Sequence, residues 1–139
     1  MIEQYVRPGQ VRMVFRNTLS YGERSERAGE AAASAGQQGL FWQMHELLFE
    51  EQSAVWDKSG NALLAQMKEF AARLPGLDQA AFVKSMDDRA TLAALKADDA
   101  EQHRRGITSQ PVFEIGQQRL FGYQSFEVVQ RALDAALRG

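Results

Sequence analysis

Residues 106–137 read GITSQPVFEIGQQRLFGYQSFEVVQRALDAAL, and this stretch decides the fold. Short apolar runs predict two strands, Val112–Ile115 and Arg119–Phe121. The Gly116–Gln117 pair between them suits a two-residue hairpin turn with glycine first. A final helix is predicted from Ser125, an N-cap candidate, because the apolar residues after it recur at helical spacing. The stretch therefore predicts a β-hairpin followed by an amphipathic helix.

The rest of the chain is predicted to be helical apart from one strand. Apolar residues alternate over Gln10–Arg16, which is the period of a strand, and Ile2–Val6 reads as the tail of a helix. A helical block is predicted over about 22–105, within a single domain of residues 1–139. The first predicted helix has Ser20 as N-cap, Glu23 at N3 and Gly36 or Gly39 at its end. The second covers Leu40–Gln52, and the third runs from Ser59 or Asn61 to Leu74. A short helix with Asp78 as N-cap and a long helix over Arg89–Arg105 follow.

The composition restricts the classes of function. The chain has 139 residues, a net charge of −2 and 45% hydrophobic residues, which suits one globular domain. Because there is no basic excess, no nucleic-acid partner is expected. No apolar run is long enough to span a bilayer, so no membrane partner is expected. No signal segment is recognisable, so the chain as given would be cytoplasmic, but the sequence does not decide the compartment. The sequence contains no cysteine, which excludes disulfides, thiolate metal ligands and cysteine nucleophiles.

The two histidines favour structural roles over metal binding. His45 lies in the apolar sequence FWQMHELLF, where a packed and hydrogen-bonded histidine is the ordinary arrangement. His103 lies beside Arg104 near a predicted helix end, where cations complement the helix dipole. Asp99 precedes His103 by four residues, which favours a surface pair over a catalytic dyad. No phosphate loop, Ser–His–Asp spacing or zinc motif is present, so no catalytic residue, cofactor or metal site is predicted.

Two features leave alternatives open. Pro111 opens the predicted hairpin, and composition alone favours a trans peptide bond there over a cis one. Four aromatic side chains would line a ligand groove if they were exposed, but core packing is favoured for most of them; they are Phe41, Trp42, Phe49 and Trp56.

The chain resembles the DsbA family of thioredoxin-fold oxidoreductases. The resemblance covers nearly the whole chain and is carried by segments that follow one another in the family's order. The segments are VRMVFRN (11–17), GERSERAGEAAASAG (22–36), GLFWQMHELLFEEQ (39–52), FVKSM (82–86) and GITSQPVFEIGQQRLFGYQSFE (106–127). Each segment alone is weakly specific, whereas the ordered set is fairly specific.

The resemblance implies an incomplete α/β thioredoxin-like fold with a helical insertion. In the family a central strand leads into a Cys-x-x-Cys motif, and this chain is expected to begin after both, so that they are missing by truncation. The resemblance also implies that Pro111 is cis and that Ser109 and Gln110, together with Pro111, bind an extended peptide. Ser85, within FVKSM, stands where many relatives carry another cysteine.

A missing central strand would leave two strands without their common neighbour. The family arrangement places that strand between Val11–Phe15 and Val112–Ile115. Unpaired buried backbone groups cost about 1–3 kcal/mol each, and open edges favour further pairing. The two strands would pair directly as antiparallel neighbours, or a second copy would exchange elements, or another polypeptide would add a strand. Oligomerisation is therefore predicted.

Three hypotheses for the function follow. The first is a redox-inactive binding or oligomerising module that uses the Pro111 surface to bind a peptide or protein client. The second is a shortened thiol–disulfide oxidoreductase or isomerase whose Cys-x-x-Cys lies upstream of Met1. Relatives of that kind are often exported to the cell envelope. The third is thiol-independent chemistry of the kind found in glutathione-transferase and isomerase relatives of this fold.

Overall fold

The computed structural model describes residues 1–139. A short π-helical turn, Ile2–Val6, precedes all other elements. The helices are α1 (Glu23–Gly36), α2 (Phe41–Glu50), α3 (Gln52–Trp56), α4 (Gly60–Ala72), α5 (Gln79–Met86), α6 (Arg89–Arg104) and α7 (Phe126–Arg138), and the strands are β1 (Val112–Ile115) and β2 (Gln118–Phe121). The chain forms two compact units, a hairpin unit of residues 1–16 and 102–139 and a helical unit of residues 17–101.

The core of the helical unit is built around α1. Ala31 and Ala35 are fully buried on this helix, and their small side chains allow α2, α4 and α5 to approach it closely. Gly36 has the same effect at the end of α1, because a Cβ atom there would lie 3.3 Å from the Cβ of Phe41. The large side chains that fill the space between these helices are Met44, Leu63, Met67, Phe70, Phe82 and Met86.

The helix starts show which capping predictions were right. Asp78 caps α5 as predicted, since its Oδ1 accepts a hydrogen bond of 3.0 Å from the backbone N–H of Ala81. The predicted capping box at Ser20 is wrong. The N-cap of α1 is Gly22, with φ of 57°, and the preceding turn is held by a hydrogen bond from the Tyr21 N–H to the Ser25 Oγ. Ser25, at the third helical position, thus accepts from a backbone N–H before the helix, which is the part that the predicted box gave to Glu23.

The hairpin unit contains the predicted β-hairpin and final helix. The strands β1 and β2 pair antiparallel, with Val112 opposite Phe121 and Ile115 opposite Gln118. Gly116 has φ of +58°, a conformation that suits glycine first in the connecting turn. Ser125 occupies the N-cap position of α7 as predicted.

The N-terminal turn packs on α7 within the same unit. Tyr5 is buried together with Val129 and Leu133, and the side chains of Ile115 and Leu120 pack against this cluster. The Tyr5 hydroxyl also donates a hydrogen bond of 2.6 Å to an Asp134 carboxylate oxygen, which raises the pKa of the tyrosine. These contacts join the two ends of the sequence within the hairpin unit.

The strand predicted over Gln10–Arg16 does not form. Residues 11–19 have no regular secondary structure, and Val14 is 53% exposed. The only sheet has two strands, so Val112–Ile115 pairs with β2 and not with residues 11–15. A strand needs a neighbouring backbone to complete its hydrogen bonds, and alternation of apolar residues cannot replace that neighbour. The direct antiparallel repair proposed from the sequence is therefore wrong.

Candidate peptide-binding edge

The residues predicted to bind a peptide lie in an exposed segment between α6 and β1. Gly106 ends α6 with φ of +76°. The next residue, Ile107, is buried, and its N–H donates a hydrogen bond of 3.0 Å to the carbonyl of Gln102. Ser109 and the Gln110–Pro111 pair follow, all exposed, and the Gln110–Pro111 peptide bond is cis. A buried anchor thus holds one end of a segment whose backbone is accessible.

The strand register determines which backbone groups of β1 face away from β2. The Gly122 N–H donates to the Pro111 carbonyl at 2.8 Å, so these residues form a hydrogen-bonded pair of the antiparallel ladder. Hydrogen-bonded and non-hydrogen-bonded pairs alternate along an antiparallel ladder, so Val112 and Glu114 belong to non-hydrogen-bonded pairs. Their N–H and C=O groups point to the edge that β2 does not occupy. We call the backbone groups of Val112 and Glu114 the open edge.

The backbone N–H that Pro111 lacks would point towards β2 and not towards the open edge. Proline has no N–H, and residue 111 directs its backbone groups towards Gly122. Proline therefore removes no donor from the open edge. The sequence pointed to the prolyl segment but not to Val112 and Glu114. The alternation of a two-stranded ladder, counted from Pro111, is the signal that would have found them.

Glu114 is held by two arginines. Arg105 donates to its Oε2 at 2.5 Å and Arg119 donates to its Oε1 at 2.8 Å, while Arg119 also donates to the Arg105 carbonyl at 2.7 Å. Desolvation acts to raise the pKa of Glu114, but the hydrogen bonds and charges of Arg105 and Arg119 together lower it. The carboxylate beside the open edge therefore stays ionised at neutral pH and is neutralised by its neighbours.

Exposed aromatic rings lie on β2 and just beyond it. Phe121 faces Val112 across the hairpin and is 55% exposed, and Tyr123 is 90% exposed just beyond β2. A strand added at the open edge would place apolar side chains against Val112, on the sheet face that Val112 shares with Phe121.

The other candidate residues lie in the helical unit and have structural surroundings. Ser85 is buried and its Oγ accepts a hydrogen bond of 2.8 Å from Ser34, with Thr91 Oγ1 at 3.5 Å. His45 is half-buried among aromatic rings, and its burial lowers its pKa although the charge of Glu46 opposes this. No group of three histidine, aspartate or glutamate side chains is arranged to hold a metal ion.

Core packing was the wrong prediction for three of the four aromatic side chains named from the sequence. Trp42, Phe49 and Trp56 are all exposed, and only Phe41 packs against the core of the helical unit. The physical reason for Trp42 and Phe49 is that α2 buries the face centred on Met44 and Leu47, which leaves the opposite face to solvent.

The helical unit also contains a concave feature beside α1, at the end of α5 and the start of α6. It is an open cavity of about 220 Å³, lined by Arg27, Glu30, Met86, Asp87, Asp88, Arg89 and Leu92. Glu30 is buried there and bonded to Arg27 at 3.0 Å. Burial raises the pKa of Glu30, and the charge of Arg27 opposes this shift. Because Glu30 and Arg27 satisfy each other, the cavity presents no isolated buried charge to a ligand.

Comparison with known proteins identifies the family. A family model described as thioredoxin matches residues 1–135. The chain belongs to the thioredoxin family. Its structure is similar to a thioredoxin-like oxidoreductase from Silicibacter pomeroyi DSS-3, with a TM-score of 0.73 and 25% sequence identity over 99% of this chain and 76% of that one. The predicted incomplete α/β thioredoxin-like fold is confirmed, in a mostly helical form with a two-stranded sheet.

Two curated relatives of this thioredoxin-family chain are transport proteins. It is 30% identical to the Na(+)/H(+) antiporter NhaA 1 of Salinispora arenicola (strain CNS-205) over 112 residues, which are 81% of this chain and 16% of that protein. It is also 30% identical to the Na(+)/H(+) antiporter NhaA of Herminiimonas arsenicoxydans over 119 residues, which are 86% of this chain and 17% of that protein. The chain thus spans about a sixth of the length of these relatives. None of its own helices is both long enough and apolar enough to cross a bilayer.

Proposed function

We propose that this thioredoxin-family chain is a polypeptide-binding module without thiol chemistry of its own. The observation that carries the proposal is the open edge of β1, which directs the backbone groups of Val112 and Glu114 away from β2. The exposed Ser109–Pro111 segment leads directly into that edge. An extended peptide would add to β1 as a further strand and continue along the segment.

The strength of such binding follows from the groups available. Two outward-facing residues allow about four backbone hydrogen bonds to an added strand, each with a net contribution of about 0.5–1.5 kcal/mol. Association itself costs at least about 4 kcal/mol, so hydrogen bonds alone leave at most about 2 kcal/mol and a dissociation constant of about 30 mM or weaker. Tighter binding requires apolar contact with the half-buried Val112, on the sheet face that it shares with Phe121. The preferred ligand is therefore an extended segment with apolar residues at alternate positions.

The absence of cysteine separates this proposal from the activity of oxidoreductase relatives. Thiol–disulfide exchange proceeds by attack of a thiolate on a disulfide, and the 139 residues contain no sulfur nucleophile of that kind. We expect the chain to show no turnover above buffer in an insulin-reduction assay with dithiothreitol. Turnover above buffer would contradict the redox-inactive assignment.

The binding proposal is tested with an array of overlapping synthetic peptides. We expect the bound peptides to share alternating apolar residues, and Val112→Pro to abolish their binding because it removes an outward N–H group. Arg119→Pro is the matched control, since residue 119 directs its N–H to the opposite edge of the sheet. Arg119→Ala separates the loss of its ion pair with Glu114 from the effect of proline. Unchanged binding in Val112→Pro would rule out strand addition at β1.

Thiol–disulfide oxidoreduction by a longer polypeptide is the second candidate. It is supported by the solved oxidoreductase, about a quarter of which lies outside the match to this chain. In this case a Cys-x-x-Cys would lie upstream of Met1 and the Pro111 segment would bind its substrate. The coding frame upstream of Met1 tests it, and a stop codon directly before Met1 would exclude it.

The similarity to two antiporters supports a variant of the first candidate, in which the module is joined to a transport protein.

A further inference from the structure

Helix α2 carries an aromatic stripe on its solvent side. Trp42, His45 and Phe49 recur at i, i+3 and i+7 and so share one face of the helix. The ring centroids of Trp42 and His45 are 5.4 Å apart, and those of His45 and Phe49 are 4.7 Å apart. Trp42 is 43% exposed and Phe49 is 63% exposed, because α2 buries Met44 and Leu47 on its other side. A row of three touching rings is therefore accessible along two turns of one helix.

Two carboxylates run beside this stripe. Glu46 and Glu50 follow Trp42 at i+4 and i+8, so each lies on the neighbouring row of the helix surface. Both are exposed and neither forms a salt bridge, whereas the adjacent Glu51 pairs with Arg73 at 2.8 Å. The exposed side of α2 thus combines apolar rings with two uncompensated negative charges. We call Trp42, His45, Glu46, Phe49 and Glu50 the α2 surface.

We propose that the α2 surface binds a cationic amphipathic helix of a partner protein. The apolar side of that helix would cover the rings of Trp42 and Phe49. Its lysine or arginine side chains would pair with Glu46 and Glu50 or lie over the indole face of Trp42. The surface belongs to the helical unit and uses none of the residues of the open edge, so the two proposals stand independently.

The negative charges of Glu46 and Glu50 favour a cationic helix over a membrane surface or a second copy of the chain. An anionic membrane surface would be repelled by Glu46 and Glu50, although exposed tryptophan is common at membrane interfaces. A second copy of the chain, docked through the same helix face, would bring four like charges together in an isologous contact. A cationic helix is the occupant that both covers the rings and compensates the carboxylates.

Tryptophan fluorescence gives a direct assay. The chain contains two tryptophans, so a Trp56→Phe background leaves Trp42 as the reporter. The probe is a synthetic helical peptide with leucine on one face and lysine on the other, and the matched peptide replaces every lysine with glutamate. We expect the lysine peptide to shift the Trp42 emission saturably and the glutamate peptide to leave it unchanged.

Matched variants test the residues. We expect E46Q/E50Q to weaken binding of the lysine peptide at least about tenfold. Glu69→Gln combined with Asp87→Asn removes the same charge from two other exposed positions of the helical unit and should leave the affinity within about twofold of the parent. Phe49→Ser should also weaken binding about tenfold, with unchanged far-ultraviolet circular dichroism showing that the helices remain folded.

Four outcomes would overturn the proposal. They are equal binding of the lysine and glutamate peptides, unchanged affinity in E46Q/E50Q, an emission shift with phosphatidylglycerol vesicles at concentrations where the lysine peptide gives none, and an emission shift that depends on chain concentration alone. The last two would assign the surface to a membrane or to a second copy of the chain.

Discussion

The buried hydroxyl pair between α1 and α5 provides a quantitative test of the packing in the helical unit. Ser34 is almost fully buried and donates to the Ser85 Oγ at 2.8 Å, while Thr91 on α6 lies 3.5 Å from the same oxygen. Ser85→Ala would remove the acceptor and leave the Ser34 hydroxyl unpaired among apolar side chains. An unpaired buried hydroxyl costs about 1–3 kcal/mol, so we expect the free energy of unfolding to fall by that amount.

The double variant separates the hydrogen bond from the loss of either side chain. Ser34→Ala with Ser85→Ala removes both partners and leaves neither hydroxyl of the pair unsatisfied. We expect the double variant to cost less than the sum of the two single variants, with a coupling of about 0.5–1.5 kcal/mol. Such asymmetry follows because one unpaired polar group is more destabilising than the absence of both.

The measurement is urea denaturation of the full chain, followed by circular dichroism. Stability changes should appear in the transition midpoint with an unchanged denaturant slope. Ser53→Ala, at an exposed position of α3, is the matched control and should change stability by less than about 0.5 kcal/mol. If the two single effects add without coupling, the Ser34–Ser85 bond does not stabilise the protein and the reasoning fails.

Three further predictions use the same denaturation assay. Phe82→Ala at a fully buried position should lower the free energy of unfolding by about 3–5 kcal/mol, and a loss below about 1 kcal/mol would contradict the core described for the helical unit. Gly116→Ala should destabilise by about 1–2 kcal/mol, because φ is +58° and the new Cβ would lie 3.3 Å from Ala136; an unchanged midpoint would refute this. The pKa of Glu114 is lowered in the folded protein, so the carboxylate stabilises the fold above its usual pKa of 4.5, and this stabilisation is lost as the pH falls through the lowered pKa. Glu114→Gln should therefore be less stable than the parent at pH 7 and equally stable in acid. A stability difference that does not change with pH would contradict the ion pairs with Arg105 and Arg119.

Local sequence rules predicted the elements whose hydrogen bonds close within a few residues. The β-hairpin at Val112–Ile115, its glycine turn and the Asp78 cap all follow from backbone preferences of nearby residues. The same rules failed at Ser20, because a glycine with positive φ two residues later offered the chain a different helix start. The prolyl part of the candidate site was found by resemblance, whereas the open edge required the register of the ladder.

The amino-acid sequence by itself determined the absence of cysteine, the helical block, the hairpin and its succeeding helix. These depend on composition and on contacts between residues close together in the chain. Only the tertiary structure decided that residues 11–19 remain outside any sheet, that Ser85 bonds to Ser34, and that Trp42 and Phe49 face solvent. The physical reason is that an apolar pattern states which residues favour burial, while the neighbours that bury them, or pair with their backbone, are set by segments distant in the sequence.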